Sequence, residues 1–129
     1  MAIARSSRLD DGRVSIQHPL GTVDPRVTEP TIIAPDEELD IATVDAFRAE
    51  LQRAIEDGAN GLVIDLSEVG FIDSTGLSAI LHANSQLKRD GRRLAIVAPR
   101  GTAAAMLFTL SGLRSELAIY DSTRSALRS

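Results

Sequence analysis

The sequence predicts an α/β layer fold whose sheet strands have parallel neighbours. Two observations carry that expectation. From residue 61 onward, short β-branched runs alternate with longer stretches whose apolar residues recur at three- and four-residue steps. Gly58, Gly91, Pro99 and Gly112 mark the changes from one pattern to the other. A third feature, a start rich in proline, makes the sheet mixed overall.

Residues 1–12 (MAIARSSRLDDG) read as a polar, flexible tail, and residues 13–129 as a single domain. Val14 and Ile16 alternate with polar neighbours as a short strand does. Pro19, Pro25 and Pro30 then exclude a helix interior or central strand, which leaves a long loop. TIIA, residues 31–34, is a second strand ended by Pro35 and Asp36. Between 41 and 57, Ile41, Val44, Phe47, Leu51, Ala54 and Ile55 mark one face of a helix. GLVIDLS, residues 61–67, is a buried strand. Leu77, Ile80, Leu81, Asn84 and Leu87 mark a second helix that ends near Gly91. RLAIVAP, residues 93–99, is a strand, GTAAAMLFTLSGL holds a third helix, LAIY is a last strand, and STRSALRS closes with a helical turn.

Composition narrows the function. The chain is 43% hydrophobic but only 3% aromatic, so its core is aliphatic. It has no cysteine, which removes disulfides, thiolate metal sites and cysteine nucleophiles together. A net charge of −4 offers no positive field for nucleic acid. The local basic group of Lys88, Arg89, Arg92, Arg93 and Arg100 reads as a solvated helix end and loop. With neither a transmembrane run nor a signal peptide, the expected location is the cytoplasm, away from the membrane.

The stretch FIDSTGL, residues 71–77, leaves three readings open. Asp73, Ser74 and Thr75 sit where a helix begins, and all three are good N-caps, a role worth about 1 kcal/mol. A nucleophilic serine needs a sharp turn with small residues two positions either side, but Ser74 is flanked there by Ile72 and Gly76. It also needs a base, and the two histidines are His18 and His82, the latter on the helix that Ser74 starts. Asp65 invites a phospho-accepting role, yet the single lysine, Lys88, falls on a helix. GxxxxGK, GxGxxG and HExxH are all missing, so no catalytic residue, cofactor or metal is expected. The third reading is a hydroxyl displayed for another protein's chemistry. One cap needs one polar residue; here three precede Gly76, which lets a partner backbone approach.

The run VIDLSEVGFIDSTGLSAIL resembles the STAS-domain anti-sigma factor antagonists of bacteria, marked by an apolar strand, a spacer and Asp-Ser-(Ser/Thr)-Gly-Leu. EELDIATVDAFRAEL, residues 37–51, resembles that family's Gly-Glu-Leu-Asp and first helix, and MLFTLSGL, residues 106–113, its late Leu-Phe-x-x-Ser-Gly-Leu. The resemblance implies a mixed sheet of four to five strands backed by about four helices. It implies a non-enzyme that partner-switches. Unphosphorylated, it binds an anti-sigma factor with serine kinase activity and frees the sigma factor; phosphorylation of Ser74 ends binding, and a PPM-type phosphatase restores it. Asp40, Asp73, Thr75, Gly76 and Leu77 would form the docking surface, on a monomer or weak dimer. Two departures stand out: Glu37 replaces the motif's glycine, and the loop from Pro19 to Pro30 exceeds the family's usual hairpin. The alternative is a STAS subunit of a larger regulatory or transport assembly that is never phosphorylated.

Overall fold

The structure, a computed structural model, describes residues 30–128. The expected tail at 1–12, the strand at 14–16 and all of the proline-rich loop except Pro30 lie outside the described residues. The elements run β1 (Thr31–Ile33), α1 (Val44–Glu56), β2 (Gly61–Asp65), α2 (Ser74–Arg89), β3 (Arg93–Val97), α3 (Ala103–Ser111), a 3-10 turn (Leu113–Ser115), β4 (Ala118–Tyr120) and α4 (Thr123–Arg128). Among the described residues the strands form one sheet in the order β1-β2-β3-β4, and every neighbouring pair is parallel. The expectation of a mixed sheet rested on the family resemblance and on the proline-rich start, which lies outside this region apart from Pro30.

Parallel neighbours need a crossover, and right-handed crossovers that step in one direction put their helices on one face. The packing follows that rule. Leu62, Ile64, Leu94 and Ile96 point into the main core with Phe47 and Leu51 of α1, Ile80 and Leu87 of α2 and Phe108 of α3. The alternate residues Val63 and Val97 point to the other face, against Ala126 of α4. Both faces of β2 are thus covered, which is why GLVID reads as an unbroken apolar run.

Two expectations about the helices need correction. Ile41 was assigned to the buried face of the first helix, but it is 79% exposed and α1 begins only at Val44. The cause is local: the Asp40 carboxylate accepts from the N–H groups of Ala42 (2.9 Å) and Thr43 (3.2 Å), which winds residues 40–43 into a separate turn. On α2, the fully buried face is Gly76, Ala79, Ile80, Ala83 and Leu87, whereas Leu77, Leu81 and Asn84 are only partly buried. Small alanines let α1 and α2 pack closely, a signal that apolar periodicity underweights.

One member of the basic group is structural. Arg92 donates from Nη1 to the carbonyls of Ile55 (3.2 Å) and Ala59 (2.8 Å) and from Nη2 to Asp90 (2.6 Å). It thereby closes the α1–β2 connection onto the end of α2. Because all four strands run the same way, their C-terminal ends share one edge of the sheet, the usual position of functional groups in open α/β layers. The segments preceding α1, α2 and α3 all leave the sheet at that end, and those preceding α1 and α2 pair there.

Candidate functional site

Asp73 is the N-cap of α2, in extended backbone (φ −112°, ψ −170°). Its Oδ1 accepts from the backbone N–H of Thr75 (2.9 Å), the Thr75 hydroxyl (2.6 Å) and the N–H of Gly76 (3.4 Å). These donors stabilise the charged form; the Thr75 hydroxyl is the largest influence holding the Asp73 carboxyl below its ordinary value, against a smaller opposing effect of desolvation. Asp73 and Thr75 are therefore committed to each other.

Ser74 is different. It occupies the first helical position and is exposed. Among the described residues, no hydrogen bond engages its hydroxyl. The two neighbouring hydroxyls of the motif thus differ in kind, one locked into the cap and one free at the positive end of a 16-residue helix.

Backbone pairing brings the two sequence motifs together. Leu39 and Ile72 form a parallel bridge, in which Leu39 N donates to Phe71 O (2.8 Å) and Asp73 N donates to Leu39 O (3.1 Å). Asp40 and Asp73, each one residue beyond the bridge, are consequently neighbours at the sheet edge. Gly76 seals this junction. A Cβ there would lie 2.9 Å from Leu39 Cβ, 3.0 Å from Leu39 O and 3.0 Å from Ile72 Cγ1. The close approach anticipated at Gly76 is thus made by the chain's own Leu39, and Gly76 is buried. Leu77 packs against the core with part of its surface exposed.

Asp40 had two expected roles, a cap for the first helix and a docking residue. The structure places its carboxylate on the turn before α1, and Thr43 holds the N-cap position without a side-chain cap bond. The Thr43 hydroxyl donates to Glu38 O (2.5 Å) and accepts from Asp40 N (3.1 Å). Asp36, Glu37 and Glu38 are exposed beside it, so this end of the edge is acidic.

Two exposed side chains at the edge escaped sequence reasoning. Ile41 follows Asp40 and Phe71 precedes the bridge; they are 79% and 48% exposed. Ile41 was read on the apolar face of the first helix and Phe71 was assigned no role, because an apolar residue within an apolar pattern carries no mark of its exposure. Among the described residues, no three His, Cys, Asp or Glu side chains group as metal ligands, and no helix is long and apolar enough to cross a membrane.

A layered sheet whose edge displays a capped Asp-Ser-Thr-Gly turn against a Glu-Leu-Asp turn defines a class. The STAS domain model matches residues 22–126, and the chain belongs to that family. Within it, the likeness is to anti-sigma factor antagonists. The chain is 32% identical over 90 residues to the anti-sigma-F factor antagonist RsfB of Mycobacterium tuberculosis, covering 70% of this chain and 72% of RsfB. An anti-sigma factor antagonist from Mycobacterium paratuberculosis superposes with a TM-score of 0.70 at 27% identity, covering 76% of this chain and 85% of the other. A putative anti-sigma factor antagonist from Thermotoga maritima gives 0.69 at 26% identity, covering 76% and 86%.

Proposed function

We propose that this protein is a phosphorylation-switched binding module that antagonises an anti-sigma factor in the cytoplasm. Unphosphorylated, it docks an anti-sigma factor that is also a serine kinase, and the sigma factor is released. Transfer of a phosphoryl group to the Ser74 hydroxyl ends docking, and a PPM-type phosphatase reverses the transfer. The chain contributes a surface and an acceptor, not catalysis.

The observation that carries this reading is the contrast between Ser74 and Thr75. An acceptor hydroxyl has to reach a kinase, and Ser74 is exposed with its oxygen unbonded, whereas the Thr75 oxygen is held at 2.6 Å by Asp73. The docking surface around it comprises Asp40, Asp73 and Thr75 with Ile41 and Phe71, while Gly76 and Leu77 act from beneath by fixing its shape. A phosphate adds about two negative charges to an edge already acidic, so it acts against a partner that approaches with complementary charge.

Phosphopeptide mass spectrometry on protein recovered from its own cells tests the acceptor, with fragmentation that separates Ser74 from Thr75. Phosphate on Ser74 whose occupancy changes with growth conditions is the expected result. Phosphate confined to Thr75 would move the acceptor by one residue. Its lasting absence, with partners still co-purifying, would reduce Asp73, Ser74 and Thr75 to a helix cap and favour a non-phosphorylated subunit.

A further inference from the structure

We infer that the partner docking at Ser74 also covers the outer face of α3, where Met106 and Leu110 form its second foothold; this rests on the docking role proposed for the Ser74 edge. Helix α3, AAAMLFTLS, has only Thr109 and Ser111 as polar residues. A helix apolar on nearly every side is one whose sides are nearly all covered. The structure covers half of it: Ala104, Ala105 and Phe108 are buried, while Met106 and Leu110, one turn apart on the opposite face, are 62% and 76% exposed. The outer face of α2 is polar by contrast, with Ser74, Ser78, His82 and Ser85 exposed.

Topology starts this helix at the same end of the sheet as the acceptor. β2 and β3 are adjacent and parallel, and α2 and α3 follow their C-terminal ends. Neighbouring strands lie about 4.8 Å apart. The first turn of α3, which carries Met106, therefore starts at the same edge as the first turn of α2, which carries Ser74. Ile41 and Phe71 lie on that edge too. A single protein surface reaches all of them.

The size of the apolar face argues for this occupant over a second copy of the chain. A stable interface needs about 800 Å² from each side, far more than two side chains supply. Met106 and Leu110 make sense as one end of a larger footprint. Its other end is acidic, from Asp36, Glu37, Glu38 and Asp40. The fitting partner is a folded protein whose docking face is basic toward α1 and apolar toward α3.

The test installs a photocrosslinking benzoylphenylalanine at position 110 or position 71 of the full chain in its own cells. The same protein captured from both positions, and lost from both in Ser74→Glu, is the expected result. In addition, Leu110→Asp lowers capture from position 71 by about tenfold, a change of about 1.4 kcal/mol, with the thermal melt unmoved. Capture from position 71 alone, a different protein at position 110, or this chain itself at position 110 overturns the inference and leaves the Ser74 reading standing. Capture from neither position overturns both.

Discussion

Gly76→Ala probes the junction that joins the two motifs. The added methyl would sit 2.9 Å from Leu39 Cβ and 3.0 Å from Leu39 O, closer than real Cβ atoms approach one and at the limit for the other. Neither neighbour is the far end of a flexible chain, so relief requires moving the Leu39 backbone away from α2. That movement strains the Leu39–Ile72 bridge. Overpacking a tight site costs about 1–3 kcal/mol, and alanine's better helix propensity returns at most about 1 kcal/mol. Because the clash is with atoms that cannot swing away, the cost falls toward the upper end and the balance is a loss of up to about 3 kcal/mol, which at a urea m-value of about 1–3 kcal/mol/M lowers the unfolding midpoint by roughly 1 M. Gly70 supplies the control, because a Cβ there meets nothing within 4 Å and its φ is not positive. Gly70→Ala should be neutral or gain up to about 1 kcal/mol by stiffening the unfolded chain. Equal midpoints for Gly76→Ala and Gly70→Ala would refute the reasoning, since the clash would then be absorbed without moving the junction.

The depressed Asp73 carboxyl gives a pH signature: its contribution is present above the ordinary value of 3.8 and is lost as pH falls through the lower folded value. Urea midpoints of wild type and Asp73→Ala should accordingly differ by a constant amount above about pH 5 and converge in strong acid. Thr75→Val removes the main influence on that carboxyl, so an NMR titration should show the Asp73 value rising, with phosphorylation still on Ser74. Arg92→Met leaves the Ile55 and Ala59 carbonyls without their charged donor and should cost about 1–3 kcal/mol by chemical denaturation. Ser74→Glu is exposed and outside every hydrogen bond of the cap, so its melting temperature should stay within about 4 °C of wild type.

The sequence carried the fold well where its signals were local. The strand at β2 followed from a short apolar run that includes the β-branched Val63 and Ile64, and the end of α3 from Gly112, whose φ of 75° few other residues adopt. The position of Ser74 at a helix start was likewise legible from three polar residues after an apolar approach. What could not be read were consequences of contacts distant in sequence. Nothing in VGFID marks Phe71 as exposed, because its exposure follows from Ile72 taking the inward position of the bridge to Leu39. Ile41 fits a helical spacing and still faces solvent, because Asp40 spends its carboxylate on a turn. Gly76 looked like an opening for a partner and proved to be the place where Leu39 enters. Arg92 resembled its solvated neighbours until carbonyls from the end of α1 and from the α1–β2 connection met its guanidinium.

The arrangement at the cap bears on how a phosphate would act. A phosphoryl group at a helix N-terminus is commonly held by the free N–H groups there, with the dipole adding about 0.3–1 kcal/mol. Here the N–H groups of Thr75 and Gly76 are already taken by Asp73, and the hydroxyl of Thr75 with them. The chain offers the phosphate the dipole, while the like charge of Asp73 opposes it. Such a group finds two of the first three N–H groups of the helix already taken and so has reduced means of reshaping the fold. The Leu39–Ile72 bridge, sealed by Gly76, remains in place beneath, and the Glu-Leu-Asp turn stays where it was. Under the proposed function, the difference between the two forms is therefore one of charge and bulk on a fixed surface. A switch built this way discriminates through its partner, which meets either a small neutral hydroxyl or a dianion on an edge that also carries exposed acids. On the proposed reading the partner meets a shape, and Gly76 helps set that shape because a Cβ there would lie 2.9 Å from Leu39 Cβ.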